Sequence, residues 1–411
     1  EGTMEASSSS NLPEGSHGAD RNIEIAPMLD VTFREFRYMM RLITKRARLW
    51  TEMIVDNTLI HSDETKIKRL LGYDDCEHPC VMQLGGSNPE LLAKASSIVE
   101  SYGYDEINLN VGCPSDRVCC RGEFGASLMK KPELVRDCIH AMSRQVQIPV
   151  TVKTRLGVDE LDSPEFIRNF IETVSQGGAK HFILHARKCW LKGLSPHQNR
   201  TIPPLQYERA KWLCNKFPHL TFSINGGINS LDHAETFLPG GSFDMPANLT
   251  GVMMGRAAFQ NPVMFYDVDR RFYDEEDNPV TTKSRRSILE SYCQYLENRD
   301  VTGFPNSAHI ACKPLIGLFH EREGTRFWRN TLDRCARGKT WLEIGPRESL
   351  TNAIEAMDER FPGLLDQPLG IEVDYRGVPT DAAHRPNQGN DDDVVQDNVD
   401  LNTSQTTAGS E

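Results

Sequence analysis

Short apolar runs alternate along the chain with stretches of helical spacing. Asn22-Ile-Glu-Ile-Ala-Pro-Met28 reads as a strand ending at Pro27-Met28, and Phe33 to Lys45 follows with helical periodicity. Leu49 to Met53 and Pro79 to Leu84 are the next strands. The second turns at Gly85-Gly86-Ser87 into a helix over Pro89 to Tyr102, with Asn88 as N-cap and Pro89 at the first helical position. Ile107, Leu109 and Val111 alternate as a buried strand that stops at Gly112-Cys113-Pro114. Helices over Pro132 to Arg144, Pro164 to Ser175, Leu205 to Phe217 and Leu231 to Phe237 then alternate with strands over Ile148 to Lys153, His181 to His185, Leu220 to Asn225 and Thr250 to Met254. Eight strands, each but the last followed by a helical stretch, predict an α/β fold, a (β/α)8 TIM barrel, with a doubly wound open sheet as the competing arrangement. From Lys283 to about Met357 helical periodicity dominates, which predicts a small all-helical C-terminal domain. The expected organisation is a disordered lead-in over 1–21, a barrel over 22–280, the helical domain over 281–360 and a disordered acidic tail over 361–411.

Composition changes this picture little. A chain that is 38% hydrophobic and 25% charged is an ordinary globular protein, and no apolar run approaches the ~20 residues that cross a bilayer, so no membrane is expected. No secretory signal is visible, and the expected compartment is the cytoplasm, or an organelle if a transit peptide was removed. Eleven scattered cysteines fit a reducing compartment. Neither Cys76 with Cys80 nor the adjacent Cys119-Cys120 has a matching second pair, so no metal is expected. The net charge of −12 argues against nucleic acid only superficially. Half of it comes from the tail, where seven acids from Asp381 to Glu411 face Arg385 alone. Local patches must decide.

Candidate chemistry gathers at the strand ends, where barrels of this kind carry their active sites. Cys113 stands on a turn that Gly112 and Pro114 stiffen, near Arg117 and Arg121; reactive thiols occupy such partly open, electropositive places. The other strand ends offer Pro27-Met28, Gln83, Asn108 and Asn110, Lys153, His185, Asn225-Gly226-Gly227 and Gly255-Arg256. The two glycine-bearing ends can present backbone N–H groups to a phosphate, while Lys153, Gln83 and His185 suit an isoalloxazine ring. FMN is the economical inference, since no dinucleotide GxGxxG is present.

The stretches APMLDVTFREFRYMMRLI, TEMIVDNTLIH, VMQLGGSNPELLAKA, YDEINLNVGCPSDRV, PVTVKTRLGVD, ILHARKCWLKGLSPHQNR, SINGGI and GVMMGRAAFQNP resemble the tRNA-dihydrouridine synthases, the A-type subfamily in particular, over about residues 22 to 340. The resemblance implies that Pro27, Met28, Gln83, Lys153, His185, Asn225, Gly226, Gly227, Gly255 and Arg256 contact FMN and that Cys113 is the catalytic acid. It places Asn110 and Arg187 near the substrate uridine. It also implies NADPH as reductant, hydride transfer to C6 of a D-loop uracil, protonation at C5, and action around positions 20 and 20a. A free thiol titrates near ~8.5 and can supply that proton at neutral pH. Arg117 and Arg121 would favour the thiolate unless they face RNA phosphates.

The target base must leave its stack, so cations should line its route. Arg187, Lys188, Lys192 and Arg200 on the strand-6 loop qualify, with Trp190 as either a stacking face or a core residue. In the helical region Lys283, Arg285, Arg286, Lys313, Arg322, Arg326, Arg329, Arg334 and Arg337 are dense enough for phosphate contacts. Lys313, Arg326 and Arg329 sit in a segment similar to the A-type's RNA-binding segment. The expected partners are tRNA and NADPH, with the chain a monomer. Ser127 departs from the pattern where many relatives carry a second Cys, and Pro239 to Asn248 looks like an insertion. Two rivals stay open: another FMN barrel oxidoreductase acting on a small molecule, which has no use for a basic helical domain, and a non-catalytic RNA-binding protein.

Overall fold

The computed structural model describes residues 21–115, 118, 123–273, 275, 283–299, 307–337 and 340–370. Its centre is eight parallel strands: β1 (Asn22–Ile25), β2 (Leu49–Val55), β3 (Cys80–Gly85), β4 (Glu106–Val111), β5 (Val150–Arg155), β6 (His181–His185), β7 (Thr221–Asn225) and β8 (Leu249–Met254). They pair in the order β1-β8-β7-β6-β5-β4-β3-β2. The ring closes at Arg48, whose N–H donates to Ile23 O (2.8 Å) and whose carbonyl accepts from Ile25 N–H (2.9 Å). This is the expected (β/α)8 barrel; an open sheet is excluded by that closure.

Most of the helices begin where the sequence places them. Asn88 Oδ1 accepts from Glu90 and Leu91 N–H at the start of Pro89–Ser101, and Ser163 caps Pro164–Ser175. The first helix is shorter than its periodicity, Arg34–Arg41. Asp269 takes up the chain beyond it, accepting from the Lys45 and Arg46 N–H groups (2.7 and 3.1 Å) and the Thr44 hydroxyl. Two strands run past their predicted ends. β2 continues to Val55 through an irregularity between Trp50 and Met53, and β5 continues to Arg155 because Thr154 and Arg155 pair with Leu184 and His185. Lys153 is therefore inside its strand, not at its end.

Successive side chains point to opposite faces of a strand, so two cores form. The large one packs the outer faces of the strands against the helices. The inner one is small, with Ala26, Trp50, Val81, Ile183 and Met253 as its apolar members. The remaining inward positions are polar: Glu24, Glu106, Asn108, Thr151 and Ser223 are buried and hydrogen-bonded, as buried polar groups must be.

Helices Arg285–Asn298, Ser307–Cys312, Thr325–Arg337 and Thr340–Arg360 follow, the last broken at Gly345 (φ 84°) before Pro346. They belong to one compact unit with the barrel. Tyr38 of the first helix stacks on Tyr295 at 3.7 Å, and Glu35 pairs with Arg299 at 3.0 Å beside it. The expected tail begins too early. Residues 361–370 are packed, with Leu365 fully buried and Leu369 N–H donating to Lys283 O (3.0 Å), because three leucines anchor a stretch whose glycine and proline read as disorder. Residues 1–20 and 371–411 lie outside the described residues.

Candidate active site

β4 delivers Cys113 to the barrel mouth two residues beyond its end. The turn is pinned from both sides. Asn110 Oδ1 accepts from the N–H groups of Gly112 (3.1 Å) and Cys113 (2.9 Å), and the Cys113 carbonyl accepts from Ala126 N–H (2.9 Å). Gly125 (φ 68°) allows that second contact, since a Cβ there would lie 2.7 Å from the Cys113 carbonyl oxygen. Cys113 is half-buried and takes part in no disulfide. Arg117, Arg121, Cys119 and Cys120 lie outside the described residues.

Lys153 stands on the neighbouring strand, paired in register with Asn110. Its ammonium donates to Asn225 Oδ1 (3.0 Å), while Asn225 Nδ2 donates to Met253 O (2.8 Å), so β5, β7 and β8 are tied at one level. Burial and then the Arg155 charge push the Lys153 ammonium down to about 7. His185 is held well below its ordinary value by burial, with Arg155 and Lys153 adding to it, and is neutral at physiological pH. Its Nδ1 is buried with no hydrogen-bond partner.

Sequence reasoning missed Arg155. Its buried guanidinium donates to Gly112 O (2.9 Å), Lys188 O (3.0 Å) and Asn199 O (3.0 Å), joining the thiol turn to the loop after β6. Asn199, fully buried, organises that loop by accepting from Trp190 N–H (2.8 Å) and donating to Trp190 O (2.9 Å). The only sequence signal for Arg155 was the alternation Lys153-Thr-Arg155, which puts both cations on one face. A pocket of ≈ 390 Å³ opens between this loop, Lys192 to Pro196, and Pro114.

The glycine-bearing end of β7, read from the sequence as a phosphate cradle, lies two strands beyond β5. Gly226 (φ 111°) and Gly227 (φ 72°) adopt left-handed backbone, and a Cβ on Gly227 would come within 2.6 Å of Leu205 Cδ1. The Tyr207 hydroxyl donates to Gly226 O (2.5 Å), and Phe243 from the presumed insertion packs edge-on against Tyr207 (5.8 Å), so that segment buttresses the cradle. Gly255 follows β8, and Arg256 is exposed beside it with its guanidinium reaching Arg200 O (3.5 Å). Pro27 and Met28 are half-buried after β1, and Gln83 is buried within the barrel. Asn108, by contrast, lies fully buried below the rim.

Among the described residues, Lys153, Arg155, Arg187, Arg200 and Arg256 have no ion-pair partner, although five cations converge here. Uncompensated cations, an orphaned imidazole nitrogen and two glycines in positive φ fit an anionic, nitrogen-rich ring with a phosphate, which is what FMN brings.

The expected RNA-facing groups divide. Arg187 is engaged with Thr201 O and Pro203 O of its own loop. Lys188 lies 4.2 Å from the half-buried Trp190 ring and 3.5 Å from Asp162, and Arg200 is exposed. In the helical region Lys313 is half-buried and Arg326 and Arg329 are exposed on one helix. Three cations counted with them do other work. Arg285 is buried, donating to Leu318 O (2.7 Å); Arg286 pairs with Asp358 and Asp366; Lys283 reaches Leu42 O (3.3 Å).

The family model described as dihydrouridine synthase (Dus) matches residues 24–355, spanning the barrel and most of the helical region. This chain belongs to the dihydrouridine synthase family. It is 47% identical over 322 residues to the tRNA-dihydrouridine(20/20a) synthase of Shewanella oneidensis, covering 78% of this chain and 90% of that one. The enzyme of the same name from Synechocystis is 43% identical over 343 residues, 84% of this chain and 96% of its own. That of Escherichia coli K12 is 46% identical over 313 residues, 76% and 86%. The dihydrouridine synthase match includes Cys113 and every rim residue from Met28 to Arg256. Among the described residues, no helix is long and apolar enough to cross a membrane.

Proposed function

We propose that this protein reduces uridine to 5,6-dihydrouridine in the D-loop of tRNA, at positions 20 and 20a, with FMN as cofactor and NADPH as reductant. The names of its relatives support the product and the substrate. The observation that carries the chemistry is a half-buried thiol, Cys113, on a pinned turn beside a rim of cations that have no ion-pair partner among the described residues.

Pro27, Met28, Gln83, Lys153, His185 and Asn225 would hold the flavin ring, and Gly226, Gly227, Gly255 and Arg256 its phosphate. Bound there and reduced by NADPH, FMN would be the source of the hydride that C6 of the uracil takes up. Cys113 gives its thiol proton to C5, so one hydride and one proton account for both new C–H bonds, and the thiolate regains its proton from solvent. Lys153 and Arg155 offset the negative charge that develops on the uracil carbonyls. His185, neutral, hydrogen-bonds without competing as the acid. Asn110 orients the acid by holding its backbone N–H.

The uridine must leave its stack to reach the thiol. Arg187, Lys188 and Arg200 line its route on the barrel, and Lys313, Arg326 and Arg329 meet the tRNA backbone from the helical region. Incubating the protein with NADPH and unmodified tRNA, then mapping dihydrouridine by nuclease digestion and mass spectrometry, tests the reading. Product at positions 20 and 20a is expected; unmodified tRNA after complete NADPH turnover would exclude it.

A further inference from the structure

The polar interior of the barrel forms one unbroken line of hydrogen bonds running up to the Cys113 turn. The Cys113 and Gly112 N–H groups donate to Asn110 Oδ1 (2.9 and 3.1 Å), and Asn110 Nδ2 donates to Gln83 Oε1 (2.8 Å). Gln83 Nε2 donates to Asn108 Oδ1 (2.9 Å), and Asn108 Nδ2 to Thr151 Oγ1 (2.9 Å). The Thr151 hydroxyl donates to Glu106 Oε1 (2.6 Å), and Glu106 Oε2 accepts from Arg48 (2.7 Å). Over β4, from residue 106 to 111, the line covers about 17 Å, at ~3.3 Å per strand residue.

Every link points the same way, and both ends dictate it. At the mouth, backbone N–H groups can only donate, so Asn110 must present its oxygen to them. At the closed end the carboxylate terminates the line as an acceptor. The three amides and the hydroxyl between are each both donor and acceptor, so they could run in either direction. Gln83, Asn108, Thr151 and Glu106 are buried, which leaves no solvent to repair a reversed link.

We propose that Glu106 is a positioning residue, whose carboxylate secures from the closed end the direction that the backbone N–H groups set at the mouth, and thereby the amide orientation of Gln83 and Asn110 and the geometry of the Cys113 turn. The role of that turn rests on the function proposed above. Asp105 and Glu24 face the same carboxyl, and burial pushes it up to about 7 while Arg48 pulls it back toward the ionised form. Arg48 on Oε2 is what keeps the far end an acceptor. The direction also decides what Gln83 offers a ligand, since one N–H and one lone pair of its amide are left over.

Glu106→Gln makes the prediction sharp. If the new amide turns its oxygen to Thr151, its NH2 meets the Arg48 guanidinium. If it turns its NH2 to Thr151, the hydroxyl accepts from both that amide and Asn108 and its own proton loses its acceptor, unless the whole line reverses and Asn110 presents NH2 to two backbone N–H groups. Each arrangement leaves a donor without an acceptor or facing another donor. Replacing Arg48 by Met removes the clash at the closed end and lets the native direction persist.

The test uses holoprotein labelled with [15N]cysteine, whose 11 cysteines give a sparse amide spectrum, the Cys113 peak being assigned by its loss in Cys113→Ala. Glu106→Gln is expected to move the Cys113 amide peak and to lower the single-turnover rate about tenfold, the value of one net hydrogen bond, with the tRNA Kd unchanged. Arg48→Met/Glu106→Gln is expected to restore both. Thr151→Val, which cuts the line without touching the Arg48 pair, must move the same peak and serves if Glu106→Gln does not fold. A Cys113 peak that stays in place in the folded variants, or a double variant no closer to wild type than the single one, overturns the proposal. If Cys113→Ala reduces tRNA at the wild-type rate, the role of the thiol fails while the peak positions still decide the role of Glu106.

Discussion

Replacing Arg155 by Met keeps the volume of the side chain and removes its donors. Three carbonyls, the buried one of Asn199 and the part-buried ones of Gly112 and Lys188, then lose their partner. Hydrogen bonds from charged donors contribute ~1.5–3 kcal/mol each, which would sum to several kcal/mol. Against this stands the cost of burying a guanidinium that has no carboxylate beside it, a cost visible in the lowering of the Arg155 pKa by burial. The net loss should therefore be ~2–4 kcal/mol, which at ~2–4 °C per kcal/mol lowers Tm by ~4–16 °C. Because the Gly112 carbonyl immediately precedes the thiol, the single-turnover rate should also fall by about tenfold or more. Arg155→Lys, able to reach one carbonyl, should lie between. Scanning fluorimetry and anaerobic single-turnover kinetics read both effects. An Arg155→Met protein with unchanged Tm and rate would refute the view that this residue ties the thiol turn to the loop after β6.

Other expectations follow from the same geometry. Gly227→Ala places a methyl 2.6 Å from Leu205 Cδ1 at φ 72°, so it should destabilise the protein by ~1–2 kcal/mol and weaken FMN retention, measured by denaturant titration and by flavin content after gel filtration. Lys153 titrates at about 7 against an ordinary 10.5, so between those values the unfolded chain binds more protons. Stability without ligand should therefore rise with pH across that window, through this group. An anionic ligand reverses the shift and takes up a proton, so FMN affinity measured by fluorescence quenching should fall by up to about tenfold per pH unit above 7, and Lys153→Met should flatten the profile. Arg326→Ala/Arg329→Ala should reduce the slope of log Kd for tRNA against log salt by about 1.5 and leave flavin content alone; an unchanged slope would remove that helix face from the interface.

Much of the barrel was legible because the outward, helix-covered face of each strand supplies a short run of buried apolar residues, and a cap such as Asn88 marks a helix start. The rim was legible as a set of residue types, with its depth misread. Lys153 was placed at a strand end because the apolar run stops there, whereas strand pairing continues to Arg155. Arg155 itself was invisible, since no local pattern tells that the carbonyls of residues 112, 188 and 199 converge. Arg285 was counted as a phosphate contact because a sequence shows its charge and not the Leu318 carbonyl and Phe319 ring that enclose it. The line from Glu106 to Asn110 needed the register between β3, β4 and β5 before its polar residues could be joined.

The central claim is that Cys113 protonates a tRNA uridine reduced at the flavin. Its most direct test is anaerobic stopped-flow absorbance of the NADPH-reduced protein mixed with unmodified tRNA, wild type beside Cys113→Ala. The expected result is flavin reoxidation that requires tRNA, with dihydrouridine formed in step, and in Cys113→Ala full flavin content with a rate lower by about 100-fold or more, as general acids contribute. Reoxidation at equal rates in both proteins, or at the same rate without tRNA, would contradict it.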